Sequence, residues 1–516
     1  MNYADLFRVT LPETVLEVAA SLVLVVDLGF LRRAALQTRE MVAAIFGVLG
    51  CGAAVAMLPL QAGSGVVYPG SHLLMLSTGG YSSIAQVGIL MLTVCTVFLL
   101  IGSEFTQHVG EYVAVVLMAA TGGLLISAAQ DLLVIFVGLE LLSLGLYILT
   151  AFAKKSEKSA EGAIKYYLFG GMSAAFLLFG FSYLYGLTGS TNLHEIMRAL
   201  YGTTANGSAP LLYVALVMIA AGLGFKVAAV PFHLWAPDTY EGAPAPAAAF
   251  IASVSKVASF ALLIGISTAA AHAFSDAKVV HTQVLVSVGQ VTLPKYFGFT
   301  GPWSVIVTLI AVASMVLGNL AALVQTSVRR LLAYSAIAHA GYILLALGYF
   351  SHSTASADAV LYYILTYGLT TVGAFGAVSV VERMNGSDRM DAFQGLYRRN
   401  GLLAAIMMVL FLSLAGIPPL VGFWAKFNLF AAVLGVNRGV VPFTIVALAV
   451  AMSAVSLYYY LQVLKRVFVM PAVDETPVKA NSITMGVLVV IALGVVVLGC
   501  LPGLLQTWMA SFYAGM

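Results

Sequence analysis

Charge is the scarcest thing in this chain. Of its 516 residues only 9% are charged and 61% are hydrophobic, with a mean hydropathy of +1.00. A soluble domain carries about 25% charged residues, so this one has too little polar surface to face water on every side. Cysteine is nearly absent as well. Cys51, Cys95 and Cys500 all lie in apolar runs and form no CxxC pair. Iron–sulfur clusters are usually held by four thiolates, and haem by spaced axial ligands; with neither pattern here, any electrons travel elsewhere. The eight histidines lack HxxxH spacing, so no metal site is expected. Glycine pairs such as Gly79-Gly80 and Gly170-Gly171 have no GxGxxG or GxxxxGK context, which argues against nucleotide binding. No low-complexity segment and no Gly/Ser-rich or Pro-rich linker divides the chain. Nothing suggests a nucleic-acid partner; the expected surroundings are a lipid bilayer.

What the chain does have is long apolar runs. They cover approximately 11–31, 41–60, 80–102, 112–129, 131–152, 162–187, 210–232, 245–272, 302–326, 331–350, 359–381, 401–435, 441–465 and 482–507. A spanning helix takes roughly 20 apolar residues, which makes the expected fold all-α with about fourteen transmembrane helices. The first run is expected to persist rather than be cleaved as a signal peptide, because Glu13 and Glu17 precede its core without a basic leader. Lysine and arginine set the orientation. With the N-terminus outside, the inside loops hold fifteen of them: Arg32, Arg33, Arg39, Lys154, Lys155, Lys158, Arg329, Arg330, Arg383, Arg389, Arg398, Arg399, Lys465, Arg466 and Lys479. The outside segments hold five, Arg8, Arg198, Lys278, Lys295 and Arg438. Both termini are therefore expected on the outer side.

Two runs are interrupted alike. One reads Gly222-Leu-Gly-Phe-Lys226-Val-Ala-Ala-Val-Pro231 and continues Phe-His-Leu-Trp-Ala-Pro237; the other reads Gly416-Ile-Pro418-Pro419-Leu-Val-Gly422-Phe-Trp-Ala-Lys426. Proline removes a backbone donor and clashes with the preceding turn, so both helices should kink or split. Unwound backbone at membrane depth is tolerated only when buried in protein or lining a wet cavity. Paired broken helices point to an inverted-repeat transporter.

Each break carries a lysine, and the chain places three more charges inside apolar runs: Glu140, Lys165 and Lys256. An ionised group at the bilayer centre costs at least ~2.5–3.5 kcal/mol on insertion scales, so such residues mark ion or proton pathways. Glu140 lies nine residues after Asp131, which is ~13 Å along a helix. Lys226 and Lys256 are its expected partners, and Lys256 sits among the small hydroxyl residues Ser253, Ser255 and Ser259. A lysine withdrawn from water releases its proton more readily than an exposed one, and a nearby carboxylate reverses this. Lys426 follows the second break. Lys165 follows the basic loop Lys154-Lys155-Ser-Glu-Lys158 and serves either as a relay or as a snorkelling interfacial group. His339 and His233 are candidate relays, since an ordinary imidazole titrates near ~6.5. For each of these residues a packing role, with the polar group hydrogen-bonded to a neighbouring helix, stays open. Asp238 and Glu241 either gather cations at an entrance or cap the next helix.

Several stretches together are similar to the antiporter-like subunits of respiratory complex I, the NADH–quinone oxidoreductase. They are Asp131-Leu-Leu…Leu-Glu140-Leu-Leu-Ser143, Gly222-Leu-Gly-Phe-Lys226…Pro231-Phe-His233-Leu-Trp-Ala-Pro237-Asp238 and Glu241-Gly-Ala-Pro244-Ala-Pro246. Arg329-Arg330-Leu-Leu-Ala-Tyr334…His339-Ala-Gly-Tyr342 and Leu414-Ala-Gly-Ile-Pro418-Pro419…Trp-Ala-Lys426-Phe complete the set. The resemblance covers essentially the whole chain, weakest in the first ~100 residues and over 272–300. Lys426, where the M-type paralogue is expected to carry glutamate, and a chain that ends soon after the last run favour the N type. The resemblance implies two inverted five-helix repeats with broken helices, over 111–272 and 273–466, preceded by helices in 1–110 and followed by one in 467–516. It implies a modulating pair Glu140–Lys226, a central relay Lys256, a second half-channel at Lys426, and a family lysine at Lys165. It also implies a proton-translocating subunit of a bacterial inner membrane, with other membrane subunits, including paralogues, as partners. No cofactor is expected in this chain; NADH, FMN, Fe–S clusters and quinone would belong to other subunits. The rivals are a subunit of a stand-alone cation/proton antiporter or of a membrane-bound hydrogenase-type complex. A loop at 272–300, holding Asp276, Lys278, His281 and Lys295, is longer than the family needs.

Overall fold

The computed structural model describes residues 7–61, 65–67, 74–202, 209–288, 300–350, 354–436, 439–472 and 476–513. Helices dominate. The N-terminal part comprises α1 (Leu11–Val25), which runs on as a π-helical turn (Val26–Phe30), then α2 (Leu36–Gln61), α3 (Gly80–Leu100) and α4 (Val109–Ala128). Between α2 and α3 a short antiparallel hairpin, β1 (Gly65–Val67) with β2 (Leu74–Ser77), qualifies the all-α expectation without adding a layer. Next come α5 (Leu132–Thr150), α6 (Glu157–Thr188), α7 (Leu193–Gly202), α8 (Ala209–Lys226) and α9 (Trp235–Gly242). They are followed by α10 (Ala245–Ala252), α11 (Val254–Val288), α12 (Thr300–Leu323), α13 (Val328–Gly348) and α14 (Thr354–Asn385). A 3₁₀ turn (Met390–Phe393) leads to α15 (Leu396–Arg399), α16 (Gly401–Ala415), α17 (Val421–Val436), α18 (Val440–Phe468), α19 (Ser482–Cys500) and α20 (Pro502–Ser511).

Eleven of the described helical stretches are long and apolar enough to cross a membrane. The run at 210–232 contributes the shorter α8, and the run at 401–435 divides into α16 and α17 at Pro418-Pro419. Two boundaries differ from the sequence pattern. The run at 245–272 is interrupted at Ser253, whose hydroxyl donates to the Ala249 carbonyl and bends the helix between α10 and α11. The 272–300 segment is not a loop throughout: the α11 backbone continues to Val288 because no glycine or proline intervenes before Gly289. The side chains of Asp276, Lys278 and His281, and Lys295 altogether, lie outside the described residues.

A wall of enclosed helices, α10–α11, α13 and α14, stands at the centre, with α4 packed beside it. α13 is held in place by close backbone approach to α12. A Cβ on Gly318 would meet the Ala338 nitrogen at 2.6 Å, and one on Gly341 the Met315 nitrogen at 2.7 Å. Small residues at such a crossing let two backbones meet, which is how helices associate in a medium as apolar as their side chains. The helices outside the wall, α6, α18 and α19 among them, show bands of exposed Leu, Val, Phe and Tyr.

Candidate functional site

Three lysines lie in the interior: Lys226, Lys256 and Lys426 are 7%, 3% and 6% exposed. Each is placed by a helix end or a helix crossing. Lys226 is the last residue of α8, where the chain turns through Ala228 in left-handed conformation (φ 59°) before Pro231. Its Nζ donates to the Ser143 hydroxyl on α5 at 2.5 Å and lies 3.9 Å from the Glu140 Oε1. Ser143 and Glu140 are three residues apart on α5, so one helix face presents both to the lysine. Glu140 keeps 28% of its side chain exposed.

Lys426 is reached by the second break. α16 ends at Ala415, Gly416 caps it at φ 88°, and α17 starts at Val421 close against that end. The last carbonyls of a helix have no intrahelical donor and carry the negative end of its dipole. Lys426 supplies the missing donor: Nζ donates to Leu414 O (3.1 Å), Ala415 O (2.9 Å) and Ser453 Oγ (2.8 Å). Lys256, three residues after the Ser253 interruption, donates to Ala336 O on α13 at 2.6 Å. Only Lys226 among the three has a carboxylate within salt-bridge distance among the described residues.

Between Lys256 and Lys426 stands His339 on α13. Its Nδ1 is 2.7 Å from the Tyr363 hydroxyl and its Nε2 3.4 Å from the Tyr460 hydroxyl. Aromatic rings fill the spaces on either side. Lys256 Nζ lies 5.8 Å from the Tyr367 ring centre, and that ring is 4.8 Å from His339. Lys426 Nζ lies 5.5 Å from the Tyr342 ring, which is 5.8 Å from His339. The interior thus holds the pair Glu140 and Lys226 and, in a row, Lys256, Tyr367, His339, Tyr342 and Lys426. Tyr342, Tyr363, Tyr367, Tyr460, Ser143 and Ser453 were not predicted site residues. The only signal for them is a polar ring or hydroxyl in an apolar run, and it becomes specific only once the helices are placed.

Two predicted site residues stand apart from the row. Lys165 is 38% exposed and pairs with Glu161 and Asp238, each at 2.6 Å. It belongs to an ion-pair lattice at the basic-loop end, where Arg330 bonds Asp238 and Glu241 and Lys158 bonds Glu241 at 2.7 Å. The lattice ties α6, α9 and α13 together, which is the structural role open to Asp238 and Glu241. Burial raises both carboxyls, but hydrogen bonds from Lys165 and Arg330 to Asp238, and from Lys158 and Arg330 to Glu241, outweigh it and hold both below the ordinary range. His233 is buried in the turn between α8 and α9, and its Nδ1 has no hydrogen-bond partner. Among the described residues no cluster of three His, Cys, Asp or Glu side chains is placed to hold a metal ion.

The sequence model of a family described as "NADH:quinone oxidoreductase/Mrp antiporter, TM" matches residues 129–293 and 282–453. NADH-quinone oxidoreductase subunit N 2 of Acidobacterium capsulatum is 46% identical over 99% of both chains. The chain belongs to the subunit N family of NADH-quinone oxidoreductases. Also similar is NAD(P)H-quinone oxidoreductase subunit 2 of Thermosynechococcus vestitus, 37% identical over 89% of this chain and 81% of that one. Among solved structures, a chain of respiratory complex I from Thermus thermophilus is 33% identical, with a TM-score of 0.74 over 96% of this chain and 98% of that one. A chain of the Mrp complex from Dietzia shares the fold alone, at 21% identity and a TM-score of 0.79, over 98% of this chain and 51% of its own length. The subunit N family thus has an antiporter-like, helical, multi-pass architecture, and the buried row described above is this member's version of its interior.

Proposed function

We propose that this chain is the N-type proton-translocating subunit of an NADH–quinone oxidoreductase, moving protons through its interior while quinone is reduced in other subunits. One observation carries the reading: three ammonium groups inside an apolar bundle, Lys226 seated on a hydroxyl, Lys256 on a carbonyl and Lys426 on both, with Lys256 and Lys426 linked through Tyr367, His339 and Tyr342. A carboxylate moving towards a lysine makes it hold its proton, and one moving away lets it pass the proton on. At 3.9 Å, with Ser143 taking the direct bond, Glu140 is placed so that a small helix shift brings it into or out of contact with Lys226. Lys256, His339 and Lys426 then form the relay, each taking one proton and giving one up.

In this reading about fourteen helices span a bacterial inner membrane. Two inverted five-helix repeats occupy 111–272 and 273–466, flanked by 1–110 and 467–516, with both termini outside. The two broken helices with a lysine apiece support the pairing of repeats. Lys165 in its lattice would receive protons at the inner face, and His233 in the first break would serve as an accessory relay. The partners are the other membrane subunits, paralogues included, and NADH, FMN, Fe–S clusters and quinone stay outside this chain.

The test uses membranes carrying the whole complex, with assembly checked on native gels. Lys226→Ala should assemble yet lose most NADH-dependent quinone reduction together with the proton gradient, and Lys426→Arg, which keeps the charge but does not release its proton, should assemble and lose coupled turnover as well. Normal coupled turnover in assembled Lys226→Ala would return the lysines to a packing role. Sodium-dependent transport by a complex without a redox partner would instead favour the stand-alone antiporter.

A further inference from the structure

A cavity of about 990 Å³ opens at the end of the bundle opposite the basic loops, between the start of α14, the end of α17 and α20. Asp358, Tyr362, Asn428, Gln506 and Tyr513 line it, among small residues such as Ala432. The Asp358 Oδ1 and the hydroxyl of the fully buried Tyr362 have no hydrogen-bond partner. A buried acceptor and a buried donor left unpaired beside a roomy polar space are groups that water would satisfy.

Asp358 also begins a stripe. Asp358, Tyr362, Thr366 and Thr370 recur every four residues along α14, and so share one face over ~18 Å of helix. The far end of the stripe borders a second, much smaller space of about 10 Å³, lined by His339, Thr366, Thr370, Ser413, Leu414 and Gly422. That volume is about what one water needs. Thr366 and Thr370 give their hydroxyl hydrogens to the carbonyls of Tyr362 and Thr366, so their oxygens remain as acceptors on this face. Leu414 closes the line, because its carbonyl accepts from Lys426. Neither Asp358 nor Tyr362 lies in an unbroken run of charge or a motif, and the sequence gives them no prominence.

We propose that this cavity is the outlet of the relay, with Asp358 the group that hands the proton to outside water and the Tyr362–Thr366–Thr370 stripe the wetted face leading to it from His339 and Lys426. The inference rests on the proton-relay reading above. An ammonium proton passes to water in the stripe, then to the Asp358 carboxylate, and then to the exterior. Lys426 is left as an amine until it is reloaded from within, and Asp358 returns to a carboxylate. Tyr362 donates one proton and accepts another, so no net charge stays on it.

The test has two arms, both on the assembled complex in membranes. In a Cys500→Ala background, Ala432→Cys should react with a membrane-impermeant maleimide added from the outer side of sealed vesicles and not from the inner side, and its labelling should slow quinone reduction. Asp358→Asn should assemble and lose about a hundredfold in coupled turnover, the low end of the range of a missing proton-transfer group, whereas Asp358→Glu should keep most of it. An unreactive Ala432→Cys, or normal turnover in Asp358→Asn while Lys426→Ala is inactive, overturns the outlet alone. Normal turnover in Lys426→Ala overturns the relay reading, and this one with it.

Discussion

A positive charge inside a membrane needs acceptors, and Lys256 and Lys426 find theirs in backbone carbonyls and a hydroxyl instead of carboxylates. Neutral dipoles hold an ammonium without fixing it there, whereas a tight buried ion pair would lock the proton in place. The same logic applies to Ser143 beside Lys226. Ser143→Ala removes a hydrogen bond to a charged group, worth ~1.5–3 kcal/mol, so the assembled complex should turn over roughly tenfold more slowly. Parallel recording of quinone reduction and the proton gradient would check this; unchanged rates would mean that Ser143 only packs. At this scale the sequence was most legible for charge, since one lysine in an apolar run stands out wherever it falls. Lys226, Lys256 and Lys426 were visible for that reason. Tyr363, Tyr367 and Tyr460 were not, because tyrosine is at home in such helices and its meaning depends on which helix lies alongside. Lys165 shows the limit: its run looks apolar, yet the fold gives it two carboxylates and partial exposure.

The broken helices are the elements that turn these residues into a site. Gly422 crosses the end of α16 so closely that a Cβ there would collide with the Ser413 carbonyl. Gly422→Ala should therefore displace α17 from the seat of Lys426, at ~1–3 kcal/mol for overpacking. The expected result is a complex that assembles less well and couples poorly, read by native gel and proton-gradient assay. Proline and glycine announced both breaks in the sequence. The Ser253 interruption had no such announcement, since a serine bonding back to Ala249 looks like any other small residue. The ion-pair lattice on α9 makes a different prediction, about pH. Asp238 and Glu241 have folded-state pKa values below their ordinary ones. Their contribution to stability is therefore complete above the ordinary carboxylate range and is lost as pH falls through the lowered values. Thermal unfolding of the purified complex should change little in this respect from pH 7 to 5 and weaken only below about 4. Arg330→Ala takes a partner from both carboxylates, brings their folded-state pKa values closer to the ordinary ones, and should lower stability at pH 7 while making that acid-dependent loss smaller.

At the scale of the whole molecule, orientation follows from where the basic residues gather. Lys155 lies before α6 and Arg198 on α7, both exposed and at opposite ends of α6. In the Cys500→Ala background, Lys155→Cys should be labelled by an impermeant thiol reagent only from the inner side and Arg198→Cys only from the outer side; the reverse pattern would invert the molecule. The central wall was legible as long runs of small and apolar residues, but which runs form it was not, because enclosure depends on neighbours. The spacing of the row within that wall has its own consequence. His339 is separated from Lys256 by the Tyr367 ring and from Lys426 by the Tyr342 ring. Two like charges no more than about 11 Å apart, at an effective dielectric constant near 20, repel by roughly 1.5 kcal/mol or more. Adjacent stations filled together are thus disfavoured by about tenfold relative to one filled and one empty. In the relay proposed above, traffic along the row would then be single-occupancy, with an arriving charge clearing the next station by pushing on the one ahead.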